Sequence, residues 1–445
     1  MYTIILIVLS VLLIIGLTSY LKVHPFLSLI AAAFFFGLLS GMPLENLVQT
    51  INEGFGRTIG NIGIIIIAGI IIGAFLENTG GANALANKII KLVGEKRVYT
   101  TNALIGYLIS IPVFADSGFI ILSSLNKAMT KKAKLSLAGT AVALALGLTA
   151  THTMVPPTPG PIAAAGIIGA DLGTVILIGL AVSLSALLVT IPFSKYTGRK
   201  IYIDPDAQKM EEGNTPKKED TPSAFKSFLP IVIPIILIIL RSVAEYPTLP
   251  FGEGKVKILL GFFGNPVVAL FCGVFLSFLL PKKFDRSMLS TTGWVGNALK
   301  SAAIIILITG AGGAFGNVLQ SSNISEILSQ ELNAAGLGIW LPFLLASALK
   351  TAQGSSTVAI ITAASIVAPI LPALGLDSDT SRALVVVAIG AGAAVVSHAN
   401  DSFFWVVTQM SNMTVKQGYR IQTLGTALLG FTAMIFLTIL SLFIG

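Results

Sequence analysis

The 445-residue sequence contains little charge, one cysteine and three histidines. Asp, Glu, Lys and Arg make up 11% of its residues, whereas a soluble domain carries about 25% charged residues. The single cysteine, Cys272, excludes a disulfide framework. With so few histidines and cysteines and no HExxH motif, an intramembrane enzyme is poorly supported, and we predict neither a metal ion nor a cofactor. No basic patch is interleaved with aromatic residues, so nucleic-acid binding is not predicted.

Long apolar runs recur from one end of the chain to the other. Hydrophobic residues make up 54% of the sequence, and several runs approach the roughly 20 residues that a helix needs to cross a bilayer. Examples are residues 4–20, 62–76, 229–239, 267–280 and 424–443. The first run has no basic segment before it and no A-x-A-like site after it, so we expect a retained helix and not a signal peptide. The sequence therefore predicts an all-α polytopic membrane protein.

The positive charges predict how the chain is threaded through the bilayer. The formal net charge is +8, and Lys and Arg cluster in five segments, which are residues 88–97, 127–134, 195–226, 282–286 and 416–420. Basic loops favour the cytoplasmic side. If all five clusters lie inside, the chain crosses the membrane about 11 times and both termini lie outside. Residues 195–227 then form a polar cytoplasmic linker. A bacterial cytoplasmic (inner) membrane suits this pattern.

Two apolar stretches, residues about 99–127 and about 338–374, must start and end on the same side of the membrane in this topology. Each is interrupted by small and polar residues, at 112–118 and at 350–357. Irregular backbone at membrane depth is tolerated only where it is buried in protein or lines a cavity. We therefore predict two re-entrant hairpins.

The two halves, residues 1–194 and 228–445, resemble each other. IIII at 64–67 followed by GAF at 73–75 matches IIIL at 304–307 followed by GAF at 313–315, and Thr151-His152 matches Ser397-His398. The matching segments run in opposite directions in the deduced topology, which is the inverted-repeat architecture of secondary transporters. Chance similarity between apolar helices is the alternative explanation.

Four interruptions fall at corresponding places in the two halves: the two hairpin tips, and breaks within crossings at residues 151–161 and 397–402. Prolines should unwind the first of these crossings. Each break leaves a helix N-terminus whose free N–H groups attract anions, so we expect all four to converge on a carboxylate. The candidate substrate-binding residues are Asp116, Ser117, Gly118, Thr151, His152, Thr153, Gln353, Gly354, Ser355, Ser356, Thr357, Ser397, His398, Asn400 and Asp401. Serines and threonines of membrane helices also bond their own backbone, so only part of this set should touch substrate.

Four of these residues are candidates for coupling to protons. Asp116 and Asp401 are acids within membrane segments, where an ionised carboxylate is costly and protonation removes that cost. His152 and His398 titrate near physiological pH, although either could be a packing residue. Lys350 could assist anion capture, but we expect it to snorkel to the membrane interface.

At these residues the sequence resembles the gluconate:proton symporter (GntP) family, and the resemblance extends over nearly the whole chain. The motifs are His24-Pro25-Phe26, Val155-Pro156-Pro157, Gly169-Ala170-Asp171-Leu172-Gly173, residues 310–315, Val367-Ala368-Pro369 and residues 397–405. The resemblance implies secondary active uptake of gluconate or a related small hydroxylated carboxylate, driven by protons. The wider superfamily of hairpin-bearing transporters implies an elevator motion against a dimeric scaffold, and hence a homodimer.

The first hairpin tip, Phe114-Ala115-Asp116-Ser117-Gly118, lies where the family varies, which leaves the substrate open among gluconate, other aldonates, glycerate and a D-hydroxy amino acid. Sodium coupling through unwound carbonyls and Ser, Thr and Asn oxygens is an alternative to proton coupling. An uncoupled channel is a further alternative.

Overall fold

The computed structural model describes residues 2–94, 97–205, 221–245, 250–321 and 337–444. All regular elements within these ranges are helical. The first half contains α1 (Tyr2–Ile15), α2 (Pro25–Leu39), α3 (Leu44–Asn78), α4 (Gly81–Val93), α5 (Val98–Ile109), α6 (Ala115–Lys132), α7 (Leu137–Met154), α8 (Pro159–Ile168) and α9 (Leu172–Lys200). The second half contains α10 (Ala224–Ala244), α11 (Lys255–Phe263), α12 (Pro266–Ser277), α13 (Trp294–Gln320), α14 (Trp340–Gln353), α15 (Ser356–Val367), α16 (Asp379–Ala394), α17 (Ser402–Met410) and α18 (Leu424–Ile444).

The lengths of these helices bear on the expected number of membrane crossings. Within the described ranges, six helices or helical segments are long and apolar enough to span a bilayer, or up to seven if α11 and α12, which are bent by 64° at their junction, form one span. Shorter apolar helices such as α2 and α5 accompany them. The chain therefore has the character of a polytopic membrane protein, and the number of about 11 crossings stays a prediction.

Helices extend into both ends of the expected linker, residues 195–227, whose role as a linker stays a prediction. Helix α9 continues to Lys200, whose Nζ atom lies 4.4 Å from the centroid of the Tyr196 ring, and α10 already begins at Ala224. Residues 206–220 lie outside the described ranges.

Helices α3 and α13, which carry the matching IIII and GAF motifs, pack antiparallel along their length. At one end the Asn317 side chain donates to the Thr50 carbonyl at 2.8 Å and accepts from Arg57 at 2.8 Å. At the other end the rings of Phe75 and Trp294 meet edge to face, with centroids 5.2 Å apart. Two copies of one element related by a twofold axis would pack in this way.

Helices α5 and α6, joined by residues 110–114, fold back on themselves beside α7. Tyr99 and Thr130, at the outer ends of the pair, both contact the first turn of α7. Gly106 and Gly118, which flank the break, both pack against the middle of α7, around Leu148. This is the geometry that a re-entrant hairpin requires.

Helices α14 and α15 form the corresponding pair in the second half, separated by Gly354 and Ser355. Gly354 adopts φ +82°, a left-handed conformation that glycine reaches without a steric penalty. The Ser355 hydroxyl accepts a hydrogen bond from the Val358 N–H and so caps α15. This chemistry allows α14 to end and α15 to begin within two residues.

A glycine brings the first helix of each pair close to the following central helix. Gly147 of α7 lies against the backbone of Ala103 on α5, and Gly392 of α16 lies against the backbone of Phe343 on α14. Small residues permit such close approach between apolar helices. The same contact therefore occurs at corresponding places in the two halves.

The two broken crossings differ from each other. The first break is shorter than the predicted 151–161, because α7 continues through Thr151, His152 and Thr153 to Met154 and α8 begins at Pro159. Proline is tolerated in the first turn of a helix, where its missing N–H has no partner to lose. The second break extends from Val395 to Asp401 and agrees with the expected position.

Candidate substrate-binding site

A polar cavity of about 110 Å³ lies where the two pairs of helices meet α7 and the second break. Its lining comprises Phe114, Ala115 and Asp116 of the first pair, Thr149, His152 and Thr153 of α7, Lys350, Ser355, Ser356 and Thr357 of the second pair, and Ala394, Ser397, Asp401, Ser402 and Phe403 of the second break. Both halves contribute, as expected for a site at the interface of two repeats. Nearly all of α7 is buried, so it holds its three side chains in a packed position.

A buried ion pair, Lys350–Asp401, lies in this cavity. The Lys350 Nζ donates to Asp401 Oδ2 at 2.7 Å and to the Gly354 carbonyl at 2.7 Å. The two side chains are only 2% and 8% exposed. The expectation that Lys350 snorkels to the interface is therefore wrong: its ammonium turns inward, where a carboxylate and a carbonyl at the hairpin tip satisfy it.

Asp401 is held by further hydrogen bonds. The Ser397 hydroxyl donates to Oδ2 at 2.5 Å, and the Phe403 N–H donates to Oδ1 at 3.0 Å. Asp401 is thus the N-cap of α17, where a carboxylate satisfies a free N–H and the helix dipole favours negative charge. These contacts stabilise an ionised Asp401 beside Lys350.

Asp116 lies in the first turn of α6 and faces the same cavity. The Ser402 hydroxyl donates to Asp116 Oδ1 at 3.3 Å. This contact joins the first hairpin to the second break, so it links the two halves at the cavity. One ammonium and two carboxylates therefore share the site.

The two candidate histidines have different surroundings. His152 lines the cavity, its ring lies 5.9 Å from the Phe114 ring, and its Nδ1 is buried with no partner among the described residues. His398 does not line the cavity. Its Nε2 lies 2.9 Å from the Thr351 carbonyl at an exposed position. Of the two, the geometry brings only His152 to the acids.

Eight of the 15 predicted residues meet at the cavity, and seven do not. Those outside are Ser117, Gly118, Thr151, Gln353, Gly354, His398 and Asn400. Several of them have contacts that shape the hairpins. Thr151 donates to the Tyr107 carbonyl at 2.9 Å, Asn400 donates to the Thr351 and Ala352 carbonyls at 2.8 and 3.2 Å, and Ser117 hydrogen-bonds Glu77 at the end of α3.

Three helix N-termini, not four, reach the cavity: those of α6, α15 and α17. The N-terminus of α8 packs elsewhere, because Gly160 in its first turn lies against Ile360 and Thr357 of α15. The expectation of a fourfold convergence is therefore wrong. The prolines of the first break position α8 as packing for the second hairpin.

Thr149 and Ser402 line the cavity but are not among the residues predicted from the sequence. Thr149, His152 and Thr153 lie three and four residues apart, which places them on one face of α7. That spacing was a usable signal for Thr149. No local signal indicated that Ser402 would reach Asp116.

Comparison with known proteins relates this chain to the permeases. The family model for GntP family permeases matches residues 2–443. A gluconate permease of Pseudomonas aeruginosa is 34% identical over 433 residues, covering 96% of this chain and 94% of that one. The D-serine transporter DsdX of Escherichia coli is 33% identical over 428 residues, covering 96% and 95%.

The fold has a counterpart among solved structures. The YdaH transporter of Alcanivorax borkumensis superposes with a TM-score of 0.64 at 15% identity, covering 94% of this chain and 98% of that one. This likeness concerns the fold alone. The family match over nearly the whole chain, together with relatives above 30% identity, shows that this protein is a member of the GntP family of permeases.

Proposed function

We propose that this permease takes up gluconate, or another small hydroxylated carboxylate, by proton symport across the bacterial inner membrane. The observation that carries the proposal is the buried Lys350, paired with Asp401 in a cavity that both halves line. A buried ammonium beside three helix N-termini suits a carboxylate. The hydroxyls of Thr153, Ser356 and Thr357 suit the hydroxyls of a sugar acid.

Proton coupling is supported by the charges in the cavity. Asp116 and Asp401 together carry more negative charge than Lys350 can balance. Adding a substrate anion to this set would place a third carboxylate in a poorly hydrated site, which is strongly unfavourable. Uptake of a proton with the anion removes this penalty. His152 lines the same cavity and is a further candidate for proton transfer.

For the architecture we propose two inverted repeats, residues 1–194 and 228–445, with about 11 crossings, both termini outside and residues 195–227 on the cytoplasmic side. The antiparallel packing of α3 and α13 and the matched glycine contacts support the repeats. We further propose an elevator motion of both hairpins within a homodimer. These features follow from the resemblance to hairpin-bearing transporters and from the basic loops.

The proposed activity can be tested in proteoliposomes with an inward proton gradient and labelled gluconate. Concentrative uptake that a protonophore abolishes would support proton symport. Uptake that instead follows an inward sodium gradient at fixed pH would favour the sodium-coupled alternative. Uptake that never exceeds the external concentration would contradict secondary active transport and favour a channel. Empty liposomes and a Lys350→Met variant are the controls.

A D-hydroxy amino acid such as D-serine is the second candidate substrate. The cavity holds both an ammonium and carboxylates, so it has partners for both ends of a zwitterion, and one relative is a D-serine transporter. Competition of D-serine, glycerate and gluconate for uptake of one labelled ligand would rank them. If Asp116 pairs with the ammonium of D-serine, an Asp116→Asn variant should bind D-serine more weakly relative to gluconate than the wild type does.

A further inference from the structure

We propose that the Lys350–Asp401 ion pair is the device that couples substrate to proton: the substrate carboxylate replaces Asp401 as the partner of Lys350, and Asp401 takes up the proton. This inference rests on the proposed symport of a carboxylate. It adds a binding role for Lys350 and assigns the coupled proton to one oxygen atom, Oδ2 of Asp401.

The contacts of Lys350 support the exchange. Its Nζ donates to Asp401 Oδ2 and to the Gly354 carbonyl, each at 2.7 Å. An ammonium with three donors that is 2% exposed needs an anionic partner, because a buried unpaired charge is very unfavourable. In the structure that partner is Asp401. A substrate carboxylate in the cavity would be an equivalent partner, and Gly354 keeps the ammonium in place during the exchange.

The summed charge of Lys350, Asp401 and the substrate is the same before and after the exchange, and Asp116 takes no part in it. Before substrate binds, the Asp401 carboxylate neutralises Lys350. In the loaded site the proton adds to Asp401 Oδ2, the ion pair breaks, and the substrate anion neutralises Lys350. Protonated Asp401 without substrate would leave Lys350 unpaired, and substrate without the proton would bring two carboxylates to one ammonium. Both intermediate states are penalised by the low-dielectric surroundings, so proton and substrate bind together and leave together.

Other titratable groups around Asp401 are less suited to this exchange. Asp116 faces it from α6, but its side chain accepts from the Ser402 hydroxyl. His152 faces it from α7 and packs on Phe114. Lys416 and Arg420, on the segment behind α17, are exposed. Among the described groups that line the cavity, Asp401 is the acid in contact with Lys350.

Ser397 is placed to ease the change of partner. Its hydroxyl donates to the oxygen of Asp401 that Lys350 binds, Oδ2, at 2.5 Å. A hydroxyl both donates and accepts, so after protonation it can accept from the new O–H group. The Phe403 N–H can continue to donate to Oδ1. Asp401 therefore keeps its hydrogen bonds in both protonation states.

The test is proton uptake on ligand binding to the purified full-length protein, followed with a pH-indicator dye in weakly buffered detergent solution, with gluconate as the probe. The wild type should take up about one proton per gluconate bound. Its affinity for gluconate should fall about tenfold for each unit by which the pH rises, in the range where Asp401 is ionised before gluconate binds. Asp401→Asn should bind with no proton uptake and with little pH dependence. Asp171→Asn, the matched control, changes an acid that caps α9 outside the cavity and should keep the uptake of about one proton.

Two further variants guard against misfolding. Asp401→Glu keeps the titratable group and should keep proton uptake. Lys350→Met/Asp401→Asn removes both charges, so it should remain folded by size-exclusion chromatography and lose gluconate binding at least about tenfold. Proton uptake that survives in Asp401→Asn but disappears in Asp116→Asn would overturn this inference and leave symport standing. Binding of no carboxylate at all by folded wild type would overturn the proposed function as well.

Discussion

The hydroxyl of Ser402 donates to Asp116 Oδ1 at 3.3 Å, across 286 positions of sequence. The contact joins the first turn of α6 in the first half to the first turn of α17 in the second. Both residues line the cavity that holds Lys350 and Asp401. Ser402 of the second half thus orients Asp116 of the first half. The site therefore exists only when the two halves are packed together.

We expect Ser402→Ala to weaken transport without unfolding the protein. The substitution removes one hydrogen bond to the Asp116 carboxylate, and a hydrogen bond to a charged group contributes about 1.5–3 kcal/mol. If this bond supports substrate binding, the KM for uptake should rise roughly ten- to hundredfold. Uptake kinetics in proteoliposomes would measure this. Ser185→Ala is the matched control, because the Ser185 hydroxyl lies outside the cavity and donates to the Ala181 carbonyl of its own helix. Equal kinetics for the two variants would contradict the role of Ser402.

The histidines should differ in their effect on transport. His152→Ala empties a position on the cavity wall and should lower kcat/KM by about tenfold or more. His398→Ala should change it by less than about threefold, because His398 lies outside the cavity and its ring contacts the Thr351 carbonyl. Initial uptake rates at several substrate concentrations and several pH values would measure both variants. A larger loss in His398→Ala than in His152→Ala would contradict the placement of the site.

The glycine contact in the first half should be essential for packing. Gly147→Ala would drive a methyl group into the backbone of Ala103, and overpacking of this kind costs about 1–3 kcal/mol. We therefore expect a lower midpoint of thermal unfolding in detergent. Gly60→Ala is the control, since nothing lies within 4 Å of the position its methyl group would take in α3. If Gly147→Ala were as stable as Gly60→Ala, the close approach of α5 and α7 would be wrong.

The proposed topology places α4 and the loop before α11 on opposite sides of the membrane. Single cysteines at Leu92 and Glu253, both exposed, would test this in a Cys272→Ser background. A membrane-impermeant maleimide added to intact cells should label Glu253→Cys at once and Leu92→Cys only after permeabilisation, because basic segments such as that around Leu92 stay inside. Labelling of both positions from outside would overturn the topology and the outward placement of the termini.

Local sequence features were sufficient for much of the description of this protein. Apolar length and scarce charge determine a membrane protein, because a bilayer-spanning helix satisfies its own backbone and must be apolar along its length. Polar interruptions within apolar runs located the breaks and both intramembrane acids, Asp116 and Asp401. The resemblance over the whole chain indicated the family that the comparisons then showed.

Only the tertiary structure decided which candidates meet. Lys350 reads from sequence as a residue that could reach the interface, and its inward direction depends on Asp401, 51 positions away. His152 and His398 occupy matching places in the proposed repeats, yet of the two only His152 lines the cavity. Burial and long-range pairing are properties of packed helices: a pattern along one chain records which residues can be buried, and the partner that makes burial of a charge tolerable comes from another helix.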